Sequence, residues 1–306
     1  MKTQEVLTLG STYLQGLTGH EFDVLEVSKP VSPEAASNLA KIISKLSPLV
    51  GNLIEFNTCE YLNDQEAFAP HGRWCRQDPG FPDTVFEGKV TPKPGFEIKA
   101  WFPLATEITA RFKDSQTHFV EDQTHVVILA WLPTWLVFGK PQIVDIAVVS
   151  GASVAKARDE HYHNPPDYVV LEPEDTSERT RNLQQTNTTG NKFQGTPAQF
   201  REAEKLVSDW GEDGHSYKTT TEYQKRLRTL TGRFPYRLDT NYAKMDRIVH
   251  PGIEAFKERV LESEFNGHRI SWWSRLLSSR DDDAIREELS ASFDIRDEGQ
   301  LVVERA

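Results

Sequence analysis

The stretch PDTVFEGKVTPKPGFEIKAW, residues 82–101, decides how the rest of this chain is read. Within it Phe96, Ile98 and Ala100 alternate with Glu97, Lys99 and Trp101, and a period of two sets Glu97 and Lys99 on one face of a strand. Residues 91–95 carry two prolines and a glycine, the composition of a turn between antiparallel strands, with Asp83 on the first of them. Such a fold-back brings Asp83 beside Glu97. Two carboxylates and one ammonium would then surround a seat for a hard divalent cation. A second triplet of the same form, Glu87-Gly88-Lys89, lies in between, and a plain surface hairpin with acids and lysines on its wet face has the same spacing.

Working outward, residues 32–64 read as helix. Ser32 is placed to cap it, Pro33 takes the first helical position and Glu34 adds an acid to the first turn. Ala36, Leu39, Ile42, Ile43 and Leu46 keep helical spacing until Pro48 interrupts it. A second helical segment, residues 49–62, places Glu55 among Leu53, Ile54 and Phe56. After the hairpin, residues 125–132 (HVVILAWL) form a nearly unbroken apolar run, the mark of a strand buried on both faces. Residues 142–150 and 168–171 read as two further strands, with a short helix at 152–160 between them.

The order of helix, hairpin and buried strands, with the pattern P-D-x(n)-E-x-K, resembles the PD-(D/E)XK nuclease superfamily, the fold of most type II restriction endonucleases. The helix run around Glu55 is similar to one that precedes the catalytic hairpin in MutH, a mismatch-repair nicking enzyme. The resemblance covers residues 49–171 as motif order. It implies an α/β fold with a mixed central sheet flanked by helices, a helical C-terminal region, and a metal-dependent, sequence-specific endonuclease that leaves 5′-phosphates. Asp83 and Glu97 would ligate Mg²⁺, with Mn²⁺ as a substitute. Lys99 would stabilise the phosphate and the attacking water, and Glu55 would assist as a further catalytic carboxylate. The other reading of Glu55 is an acid on the wet side of an amphipathic helix. Double-stranded DNA is the implied partner, with a homodimer for a palindromic site and a DNA methyltransferase acting alongside. Two rivals are a structure-specific repair or recombination nuclease of the same fold and a DNA-binding protein without catalysis.

Overall the chain is acidic, with a formal charge of -11, which by itself argues against a DNA partner. Its charge is unevenly spread. Residues 178–280 hold 18 Lys and Arg against 13 Asp and Glu, whereas residues 1–150 hold 12 against 18. In the basic part Lys225, Arg226, Arg228, Arg233 and Arg237 interleave with Tyr223, Phe234 and Tyr236, a composition suited to phosphate backbones and base edges. Just upstream, Arg179, Arg181, Asn182, Gln184, Gln185 and Asn187 crowd into a polar stretch whose side chains are those that bond bases bidentately. The expected division is a catalytic core in residues 1–177 and a recognition and dimerisation region in residues 178–306, packed as one unit.

Two cysteines, Cys59 and Cys75, are too few for a disulfide framework. With no targeting signal at residues 1–19 and no span long enough for a bilayer, the expected location is the cytoplasm, away from membranes. His161 and His163, next to Asn-Pro-Pro, read as loop residues rather than metal ligands. Helices are expected at 196–210, 251–266 and 284–292, the last capped by the acids at 281–283.

Overall fold

A computed structural model describes residues 1–23, 25–77, 80–105, 107–108, 110–119, 121–174, 187–214 and 216–297. The chain opens with α1 (Thr3–Gln15), α2 (Pro33–Ile42) and α3 (Ser47–Asn63). Five strands follow: β1 (Gly72–Arg76), β2 (Thr84–Gly88), β3 (Gly95–Trp101), β4 (Thr124–Trp135) and β5 (Phe138–Ser150). They form one mixed sheet in the order β1-β2-β3-β4-β5. Its β3–β4 pair is parallel and the other three pairs are antiparallel. This is an α/β architecture with helices packed on the sheet. Ser32 caps α2 by accepting from the Ala35 N–H, and Pro48 falls in the first turn of α3 after a short 3₁₀ stretch, Ile43–Leu46.

The core forms where the pattern is most apolar. In β4, Val126 through Leu132 are at most 1% exposed, as a strand covered on both faces must be. Trp74 of β1 stacks on Phe96 of β3 with ring centroids 5.0 Å apart and meets Phe86 and Phe68 edge-on. Gly10 lets α1 lie on these rings: a β-carbon there would stand 2.8 Å from Phe96 and 3.4 Å from Trp74. The apolar faces of α7 (Pro251–Glu262), α8 (Ile270–Ser278) and α9 (Asp282–Phe293) join the same core through Phe256, Trp273 and Leu289. Asp281 caps α9, so the acids at its start serve the helix end.

After β5 comes α4 (Gly151–Tyr162), and then β6 (Tyr168–Leu171). β6 does not extend the five-stranded sheet. It pairs antiparallel with β7 (Thr189–Phe193), and β7 with β8 (Tyr236–Leu238), in a second, three-stranded sheet. One face of that sheet is covered by α5 (Pro197–Ser208) and α6 (Thr221–Arg233), which share a small core with Val169, Phe193 and Phe234. Among the described residues no helix is long and apolar enough to cross a membrane.

His163 lies at this lobe's edge, buried, with its Nδ1 accepting from the Val170 N–H at 3.2 Å and its Nε2 2.6 Å from the Tyr223 hydroxyl. Burial pulls its pKa down to about 4. The unfolded chain therefore takes up this proton near the usual histidine pKa while the folded chain resists until about pH 4. Stability is full above that range and falls as the pH drops through it, by about 3 kcal/mol from this group. Urea unfolding at pH 7 and pH 4.5 should show the loss, and His163→Gln should flatten the dependence.

Candidate active site

The β2–β3 ladder pairs Thr84 with Phe96 and Val85 with Gly95, and then stops. One more step in that register sets Asp83 opposite Glu97, at the point where the strands part. Asp83 thus lies just before β2. The carboxylate takes the place of the missing ladder partner: the Ile98 N–H donates to Asp83 Oδ2 at 2.6 Å, and the Asp83 N–H donates to Glu97 Oε2 at 3.3 Å. Each acid is fixed by the other's strand. Lys99, two residues along β3, bonds Glu97 Oε1 and reaches Asp83 Oδ2 at 3.5 Å. The predicted trio therefore converges in the fold.

The side chains of Lys99 and Glu97 are 14% and 9% exposed. Burial alone would lower the lysine pKa, but the charges of Glu97 and Asp83 outweigh it and hold Lys99 above the usual lysine range. Lys99 is an ammonium at neutral pH. Two carboxylates against this one cation leave the trio negative.

Glu55 enters from α3. Its Oε1 accepts from Arg76 Nε at 3.0 Å, which ties α3 to the end of β1. Burial, then the nearby Asp83 charge, push the Glu55 carboxyl above its usual range, with Arg76 and Lys99 pulling the other way. Glu55 and Lys99 line a cleft of about 650 Å³, whose wall also carries Lys45, Asn52 and Glu107. Arg76 was invisible in the sequence because β1 reads only as a short polar segment, and its role depends on a pairing with α3 that no local pattern announces.

The competing triplet is separated by the fold. Glu87 is exposed at the far end of β2 and pairs with Lys93 across the turn at 2.8 Å. His163 is spent on Tyr223 and Val170. Among the described residues no three His, Cys, Asp or Glu side chains form a cluster able to hold a metal by themselves. A metal at this hairpin would be held by two protein carboxylates, the arrangement Mg²⁺ accepts when waters and phosphate oxygens complete its shell.

Of the residues expected to meet DNA, Arg179, Arg181, Asn182, Gln184 and Gln185 lie outside the described residues. Asn187 bridges to Asp114 at the edge of the second sheet. On α6, Arg226 pairs with Glu222, Arg233 with Glu202, and Arg228 donates to the Glu172 carbonyl while pairing with Glu174 at 3.3 Å. Lys225 and Arg237 are exposed. No protein-family model, no curated protein and no solved structure matches this chain.

Proposed function

We propose that this protein is a Mg²⁺-dependent endonuclease of the PD-(D/E)XK kind, a type II restriction enzyme that cuts double-stranded DNA at a defined sequence. The observation that carries this reading is the convergence of Asp83, Glu97 and Lys99 where β2 and β3 part, beside an open cleft. A surface hairpin has no reason to fix two largely buried acids against the backbone of each other's strand. The donor set suits Mg²⁺: hard carboxylate oxygens from Asp83 and Glu97, with net negative charge around them. When bound, the ion would neutralise the non-bridging phosphate oxygens and activate water.

The remaining work falls to the side chains. Lys99, held by Glu97 and Asp83, serves as a donor to the phosphate as charge builds on its oxygens, and orients the attacking water. Water adds to phosphorus, the bond to the 3′ oxygen breaks, and that oxygen takes up a proton, leaving a 5′-phosphate and a 3′-hydroxyl. Glu55, held on one oxygen by Arg76, keeps its second oxygen for a water or a further cation at the cleft. A palindromic site would be read by a two-fold pair of chains.

The test is incubation with unmethylated phage DNA, its methylated counterpart, and forked or mismatched duplexes, each with Mg²⁺ and with a chelator. Discrete fragments from linear DNA that disappear with the chelator are the expected result. Cutting confined to forks or mismatches would replace sequence by structure as the target. Absence of cutting on every substrate would overturn catalysis.

A further inference from the structure

A second concavity adjoins the cleft, and the chain passes from one into the other. The cleft wall ends at Ala110, and the next residue, Arg111, opens a groove of about 430 Å³ that also takes in Lys113, Asn187, Thr189 and Thr240. We propose that this groove holds the sugar-phosphate backbone of the DNA duplex flanking the cut, with Arg111 and Lys113 as its phosphate contacts. The proposal rests on the nuclease reading and locates the path of the substrate beside it.

The segment is built to present these two cations. Phe112 and Asp114 are buried while Arg111 and Lys113 are exposed, the alternation of an extended strand. Backbone bonds fix it to the second lobe: Phe112 N–H to the Ala243 carbonyl at 2.8 Å, Thr188 N–H to the Lys113 carbonyl at 3.0 Å, and an Arg111–Lys244 bridge. From below, the fully buried Arg158 donates to the carbonyls of Phe112 and Asp114, both at 2.8 Å. A strand held on both sides in this way points its outer side chains without depending on their own contacts.

Charge selects the occupant. Most cations of α6 are paired with acids, whereas neither Arg111 nor Lys113 has an ion-pair partner among the described residues. The acid in the groove lining, Asp239, is engaged by the Tyr168 hydroxyl and the Asn241 N–H. Two positions along a strand separate the cations by about 6.6 Å, which suits neighbouring phosphates of one DNA strand. The neutral polar groups beside them, Asn187 and Thr189, add donors of the kind that bond phosphate and sugar oxygens.

Fluorescence anisotropy with a duplex oligonucleotide, across a salt series, tests the proposal in the full chain carrying Asp83→Asn so that the DNA stays intact. Adding Arg111→Ala and Lys113→Ala should weaken binding and reduce the slope of log K against log salt by about 1.8, the loss of two phosphate contacts. Both residues are exposed and their backbone bonds remain, so folding should be unaffected. If the wild type cuts DNA but the groove variant binds with unchanged slope, the groove is off the DNA path and the proposal fails alone. Loss of slope in a protein whose wild type never cuts keeps the groove as a DNA site and overturns the nuclease reading. Absence of DNA binding by the parent chain overturns both.

Discussion

Lys99→Ala is expected to reduce DNA cleavage by about 10²–10³-fold, the loss that follows removal of one preorganised donor to a developing oxyanion. Affinity for intact duplex should change little. The ammonium is held by Glu97 and Asp83 before any substrate arrives, so its position costs nothing to arrange during the reaction. Lys99→Arg should not restore the rate, because a planar fork cannot take the seat of a compact ammonium between two carboxylates. Single-turnover cleavage of an oligonucleotide containing the mapped site, at saturating protein, reads the chemical step directly. A variant that cuts at the wild-type rate would remove Lys99 from the mechanism.

The second large effect concerns stability. Arg158 and Asp159 are both fully buried, and Arg158 spends its guanidinium on Asp159, the Tyr242 hydroxyl and the carbonyls of Phe112 and Asp114. Burial pushes the Asp159 carboxyl up, against the opposing pull of Arg158. Arg158→Met keeps much of the volume and removes every donor, leaving Asp159 buried without its cation. The expected cost is about 3–5 kcal/mol. Replacing both, Arg158→Met with Asp159→Leu, should cost less than the single change, since no uncompensated charge remains. Urea unfolding of the two variants and the wild type measures this. A double variant less stable than the single one would show that the pair itself stabilises the fold.

The hairpin was legible because period two and a Pro-Gly turn are local signals, and the register then sets Asp83 against Glu97 without further help. Glu55 was legible as a helix residue, and its direction into the cleft required the tertiary pairing of α3 with β1. β6 could be read as a strand from Tyr168-Val169-Val170-Leu171, but its sheet could not, since β7 lies across a polar stretch and the pairing is non-local. α1 escaped notice: Gly10, three threonines and a serine dilute its apolar side, and it is tertiary burial of Val6, Leu7 and Leu14 that sets it in the core. α4 was legible as a short helix, but its polar run, KARDEHYH from residue 156, carries no local sign that Arg158 and Asp159 form the most buried ion pair of the described structure. The segment presenting Arg111 and Lys113 has no periodic apolar run at all. Its shape comes from non-local partners, the backbone bonds to Ala243 and Thr188 and the Arg158 clamp beneath it.

Asp83 and Glu97 are proposed to form the seat of a divalent ion. Titration with Mn²⁺, followed by the electron paramagnetic resonance signal of the free ion, measures that binding without reference to activity. The wild type and Glu87→Gln, changed only at the exposed acid of the competing triplet, should both take up the ion, and Asp83→Asn with Glu97→Gln should lose that uptake. Equal uptake by the wild type and the double variant would mean that Asp83 and Glu97 do not hold the ion.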